Sequence, residues 1–153
     1  MSAEFVDIYT DGSCLGNPGC GGWAAILVYK GHEKIISGSE EHSTNNRMEL
    51  TAVIRALSTL KRDVECNVYI DSAYVMGAYE HNWMRSWKKN NWRNSANKEV
   101  ANKELWQQLD ELCSKFKVKF YKVKGHSGHE YNERCDKLAV EESKKRQASL
   151  KNN

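Results

Sequence analysis

The sequence predicts an α/β fold: a five-stranded mixed sheet, three antiparallel strands and then two parallel ones, flanked by helices. Three observations predict it. Residues 5–39 hold three apolar segments separated only by short glycine-bearing stretches, which leaves no room for a helix between them. From residue 44 onward the apolar spacing becomes helical and alternates with two short apolar runs, the pattern of helix–strand units that extend a sheet in parallel. No repeat or linker interrupts the 153 residues, a length suited to one domain around one core.

The segment "EFVDIYTD" alternates, with Val6, Ile8 and Thr10 on one face and Phe5, Asp7, Tyr9 and Asp11 on the other, so it is expected to be a strand ending at Asp11. "GWAAILVYK" and "EKIISGS" are the next two strands, joined by a tight turn at Gly31. In "STNNRMELTAVIRALSTLKR", Leu50, Val53, Leu57 and Leu60 form a helical stripe, with Thr44 or Asn45 as N-cap. "CNVYID" is a short buried strand, and the helix begun by "DSAYVMGAYEHNW" has Ser72 as its cap. "NKELWQQLDELCSKF" is amphipathic through Leu105, Leu109 and Leu112, "VKFYKV" is the fifth strand, and "NERCDKLAVEESKK" closes the domain with Cys135, Leu138 and Ala139 facing inward. Residues 144–153 are basic and lack an apolar pattern, so they are expected to fray, leaving residues 1–143 as the domain.

Composition is that of a globular protein, 40% hydrophobic and 28% charged, and a net charge of +3 points to no partner by itself. Glu4 and Asp7 stand where an export signal would be basic and then apolar, and the uncharged run at residues 19–29 is too short to span a bilayer. Five cysteines, an odd number without a CxxC pair, are expected to be reduced thiols, and the chain to be cytoplasmic.

"DGSCLGNPGCGG", residues 11–22, packs five glycines and the only proline into one stretch. It is not a P-loop, because no Lys-Ser or Lys-Thr pair follows the glycines. It is not a dinucleotide fingerprint either, because a strand follows where a helix should open. "NPGC" fits a type II turn, with Pro18 setting one torsion and Gly19 supplying the positive one.

Four acids occupy special places. Asp11 and Asp71 end strands, where crevices form at the edge of an α/β sheet, while Glu49 and Asp136 border the apolar faces of their helices. Each alone fits a structural role: turn acceptor, helix cap, dipole partner, surface ion pair. Convergence of all four would demand a cation or raised pKa values, and an all-oxygen set suits magnesium.

"YTDGSCLGNPG", "TNNRMEL", "IDSAYV" and "VKGHSGHEYNERCDKLA" together resemble bacterial type 1 ribonuclease H, in that family's order and over about residues 5–143. The resemblance implies the ribonuclease H-like fold and an enzyme that cuts the RNA strand of an RNA–DNA hybrid with two Mg²⁺ or Mn²⁺ ions, leaving 5′-phosphate and 3′-hydroxyl ends. Carried onto this chain, it makes Asp11, Glu49, Asp71 and Asp136 the metal ligands and His126 the histidine of a mobile loop, serving proton transfer or product release. It lays Cys14, Gly16 and Asn17, with Asn45 and Asn46, along the minor groove of the hybrid, where 2′-hydroxyls mark RNA. Ser72 and Trp83 join these contacts, and a monomer is the family's default. The chain departs from the family pattern at Cys20, Ala73 and Glu130–Tyr131.

Residues 82–98 contain five basic residues, no acid and three of the five tryptophans. Trp83 and Trp87 are i,i+4 neighbours suited to packing a short helix. Lys88, Lys89 and Arg93 are expected to grip phosphates, and the resemblance places them on a basic protrusion that holds the DNA strand. Two other readings are a hybrid-binding module without catalysis and another metal nuclease on the same fold. A zinc site from His126, His129 and Cys135 lacks a fourth ligand.

Overall fold

A computed structural model describes residues 5–123 and 130–151. Five strands, β1 (Phe5–Gly16), β2 (Gly19–Tyr29), β3 (His32–Ser43), β4 (Glu65–Ile70) and β5 (Lys117–Lys122), form one sheet in the order β3-β2-β1-β4-β5. The first three pair antiparallel, and β1, β4 and β5 run parallel, as the sequence predicts. The helices are α1 (Asn45–Ser58), α2 (Ala73–Glu80), α3 (Trp83–Lys89), α4 (Lys103–Lys115) and α5 (Glu130–Lys151).

Strand alternation decides which layer each residue enters. Val6, Ile8, Val68 and Ile70 point into the main core with Leu50, Val53 and Leu57 of α1, Val75 and Ala78 of α2, and Trp106 and Leu109 of α4. On the other face α5 packs Cys135 and Ala139 against Ala24 and Ile26. Thr44 caps α1, its Oγ1 accepting from the Arg47 amide at 3.2 Å, and Ser72 caps α2 in the same way through the Val75 amide at 3.2 Å.

Three expectations need correction. First, β1 does not stop at Asp11 but runs to Gly16, so the acid lies inside a strand, paired with Ala24. The glycines extend the β1–β2 hairpin instead of ending it. Second, the turn at its tip is not type II. The peptide bond Asn17–Pro18 is cis, and the positive φ belongs to Gly16 at 80°, not to Gly19. A cis proline at the second loop position is the mark of a type VI turn, and Gly19 instead opens β2, where a Cβ would collide with the Leu15 carbonyl. Third, residues 144–151 do not fray: α5 continues through Lys151. Arg146 Nε donates to Ser39 Oγ at 3.1 Å, and Ser143 is fully buried against β2 at Gly22, where any Cβ would strike the α5 backbone. Small-residue packing and polar contacts hold this stretch, and neither leaves an apolar period in the sequence.

Candidate active site

The site grows where the parallel pairing of β1 and β4 stops, just past Tyr9 and Tyr69. Asp11 is 6% exposed on β1, and Asp71 follows the last residue of β4, next to the Ser72 cap. Glu49 arrives on α1 just past its first turn, and Gly12 is what lets it approach. A Cβ at Gly12 would overlap the Met48 carbonyl carbon and the Glu49 amide, so only glycine admits the helix this close to β1. Asp11, Glu49 and Asp71 each offer a carboxylate oxygen, and the three oxygens lie within 4.8 Å of one another.

Such crowding has an electrostatic cost. Burial, and then the charge of Asp71, push the Asp11 carboxyl up to about 8. Burial and the charges of Asp11 and Asp71 hold Glu49 well above the usual carboxylate range. Glu49 Oε2 is buried without a hydrogen-bond partner, whereas Asp11 Oδ1 accepts from the Gly12 amide at 2.9 Å. An orphaned carboxylate oxygen facing two more carboxylates fits a hard dication, which would neutralise the repulsion and supply the missing partner. Asp136, on α5, adds its charge to the surroundings of Asp11 but stands outside the group of three. The structure thus gathers three of the four predicted acids tightly and brings the fourth alongside. His126, like His129, lies outside the described residues.

The expected substrate contacts form a ledge beside these acids. Asn17 Oδ1 accepts from the Asn45 amide at 3.2 Å, joining the hairpin tip to the start of α1. Gly16, Asn17, Asn45 and Asn46 are exposed. The Cys14 thiol is occupied, donating to Gly19 O at 3.4 Å and Ser43 O at 3.3 Å, so it braces the hairpin against β3. The Ser72 hydroxyl is spent on its cap and the residue is buried.

The basic stretch divides over the two sides of α3. Trp83, 40% exposed, tilts on Trp87 at 6.2 Å between ring centroids, and together with Arg93 they line a groove of about 530 Å³. Lys88 and Lys89 line a different groove with Arg85, and Lys88 is tied to Asp110 at 3.2 Å. The sequence missed two features around the site. Arg47 reaches Glu104 at 2.7 Å and Glu40 at 3.8 Å, linking α1 to α4 and β3. Tyr131, Tyr9, Tyr69 and Tyr121 form a continuous ring stack across α5, β1, β4 and β5, with centroid separations of 4.6, 5.0 and 5.3 Å. The available signal was that Tyr9 and Tyr69 each stand two residues before one of the acids.

A five-stranded sheet of this order, with three carboxylates gathered where the parallel pairing of β1 and β4 stops, defines an α/β protein with a candidate site at that end of the sheet. The family model for RNase H matches residues 3–144, and the chain belongs to the RNase H family. It is 57% identical over 140 residues to the protein named Ribonuclease H of Acetivibrio thermocellus, covering 92% of this chain and 95% of that one. A Thermoanaerobacter protein of the same name is 53% identical over 142 residues, covering 93% and 92%. Among solved structures, LC9-RNase H1, described as a type 1 RNase H with the type 2 active-site motif, superposes with a TM-score of 0.82 at 28% identity, covering 95% of this chain and 75% of that chain. LC11-RNase H1 in complex with an RNA/DNA hybrid gives a TM-score of 0.71 at 25% identity, covering 92% and 97%. No described helix is long and apolar enough to cross a membrane.

Proposed function

We propose that the protein is an endoribonuclease that hydrolyses the RNA strand of RNA–DNA hybrids by two-metal-ion catalysis, leaving 5′-phosphate and 3′-hydroxyl ends, and that it acts as a cytoplasmic monomer. The observation that carries the reading is the carboxylate group of Asp11, Glu49 and Asp71 with its unpartnered Glu49 oxygen. These three, with Asp136, would hold Mg²⁺, or Mn²⁺ in its place. Bound there, the ions would supply an activated water and charge neutralisation at the scissile phosphate.

The chain's own residues do the rest. Asp11, buried and accepting from the Gly12 amide, is held in place on β1. The exposed amides of Asn45 and Asn46 and the backbone at Gly16 and Asn17 offer donors and acceptors to a sugar edge carrying 2′-hydroxyls. Trp83 and Arg93, sharing a groove, would take the DNA strand by ring contact and charge. His126 would act in proton transfer or product release.

Matched RNA–DNA, RNA–RNA and DNA–DNA duplexes incubated with Mg²⁺ test this. Cleavage confined to the RNA of the hybrid is expected, and equal cleavage of DNA–DNA would overturn the substrate assignment.

A further inference from the structure

Three of the site's acids lie where the parallel β1–β4 pairing stops or near the start of α1, but Asp136 does not. It sits in the second turn of α5, outside the tight group, and depends on how α5 lies across the sheet. Two side chains one helical turn apart fix that crossing. The Cys135 thiol donates to the Tyr9 carbonyl at 3.3 Å, and Asn132 Nδ2 donates to the Tyr69 carbonyl at 3.4 Å. Tyr9 and Tyr69 are direct partners in the β1–β4 register, and each precedes its acid, Asp11 or Asp71, by two residues. Helix α5 therefore touches both central strands at the same level, one step below the carboxylates. Among the described residues, the Asn132 amide is the only α5 side chain hydrogen-bonded to β4. Its Oδ1 is buried and unpartnered, so the amide is retained at a desolvation cost of its own.

We infer that Asn132 is a positioning residue: through the Tyr69 carbonyl it sets the distance between Asp136 on α5 and Asp71 at the end of β4. This rests on the metal-site reading above. A nearly isosteric apolar side chain would keep α5 packed while releasing it from β4. Partners hydrogen-bonded directly to metal ligands typically change metal affinity or activity by about 10–100-fold when lost, and Asn132, acting through the Tyr69 backbone, is expected at the low end of that range.

The test compares Asn132→Leu with the donor-retaining Asn132→Gln and with Arg134→Gln. The last breaks the paired bonds of Arg134 to Glu33 on β3, both 3.1 Å, on the side of α5 away from the acids. Each variant is titrated with Mg²⁺ alone, following the rise in Tm and the heat of binding, and then assayed on hybrid. For Asn132→Leu we expect the Mg²⁺ midpoint to rise by about 10-fold in both the binding and activity titrations. The hybrid KM should change less than about twofold, Asn132→Gln should recover most of the loss, and Arg134→Gln should lower Tm without moving the midpoint. Wild-type midpoints in Asn132→Leu, or an equal shift in Arg134→Gln, would overturn the inference while leaving the metal site standing. A wild-type protein that shows no Mg²⁺-dependent rise in Tm and cuts no hybrid overturns both.

Discussion

At the scale of the residue, the decisive group is Asp11, buried among acids. A carboxyl raised to about 8 keeps its proton in the folded state at pH values where the unfolded chain, near 3.8, has released it. Its contribution therefore runs against stability as pH rises through that window. In the presence of a chelator, Asp11→Asn should raise Tm, and its advantage should grow from pH 5 to pH 8 to more than about 1 kcal/mol. The same variant should bind hybrid and fail to cut it, and a chelated Tm that does not rise with the substitution would contradict the burial argument. Gly12 acts at the same scale by having no side chain. Gly12→Ala should push α1 from β1, cost about 1–3 kcal/mol in urea unfolding and weaken Mg²⁺ binding, because Glu49 moves with the helix. Asp71 and Glu49 were legible in the sequence because a strand end and a helix face can be counted, whereas Asp11 was found on the right strand but lies inside it and not at its end. The requirement at Gly12 was not legible, because it arises from a helix whose approach only the folded packing reveals.

At the scale of the element, α3 carries a division that the run of basic letters conceals. Lys88 is engaged with Asp110 on one side of the helix, whereas Arg93 shares a groove with Trp83 on the other. Each phosphate neutralised contributes about 0.9 to the salt slope of binding. Neutralising Lys88, Lys89 and Arg93 together should lower that slope by about 2, and Lys88→Gln alone should lower it least, as read from hybrid binding at graded salt. An unchanged slope in the triple variant would remove this segment from the interface. The strands and helices themselves were readable, since alternation and helical spacing report which face is buried. The continuation of α5 to Lys151 was hidden, because Ser143 and Arg146 hold it by close approach and hydrogen bonding, which leave no periodic apolar signature. The hairpin turn was misjudged for a related reason. Either of the glycines flanking the Asn17–Pro18 pair could supply a positive φ, and in the structure Gly16 supplies it.

At the scale of the whole molecule, the order of the chain matters as much as its shape. Among the described elements the strand bearing Asp11 comes first and the helix bearing Asp136 comes last, and the Cys135–Tyr9 contact spans 126 residues of sequence. Contacts so distant close late, because the entropy of the intervening loop opposes them until the rest of the core has formed. During synthesis, β1, α1 and β4 leave the ribosome well before α5, so a nascent chain holds three acids and waits for the fourth. Under the function proposed above, a chain whose synthesis has not reached α5 lacks one of its four acids, so translation order itself would hold back the nuclease.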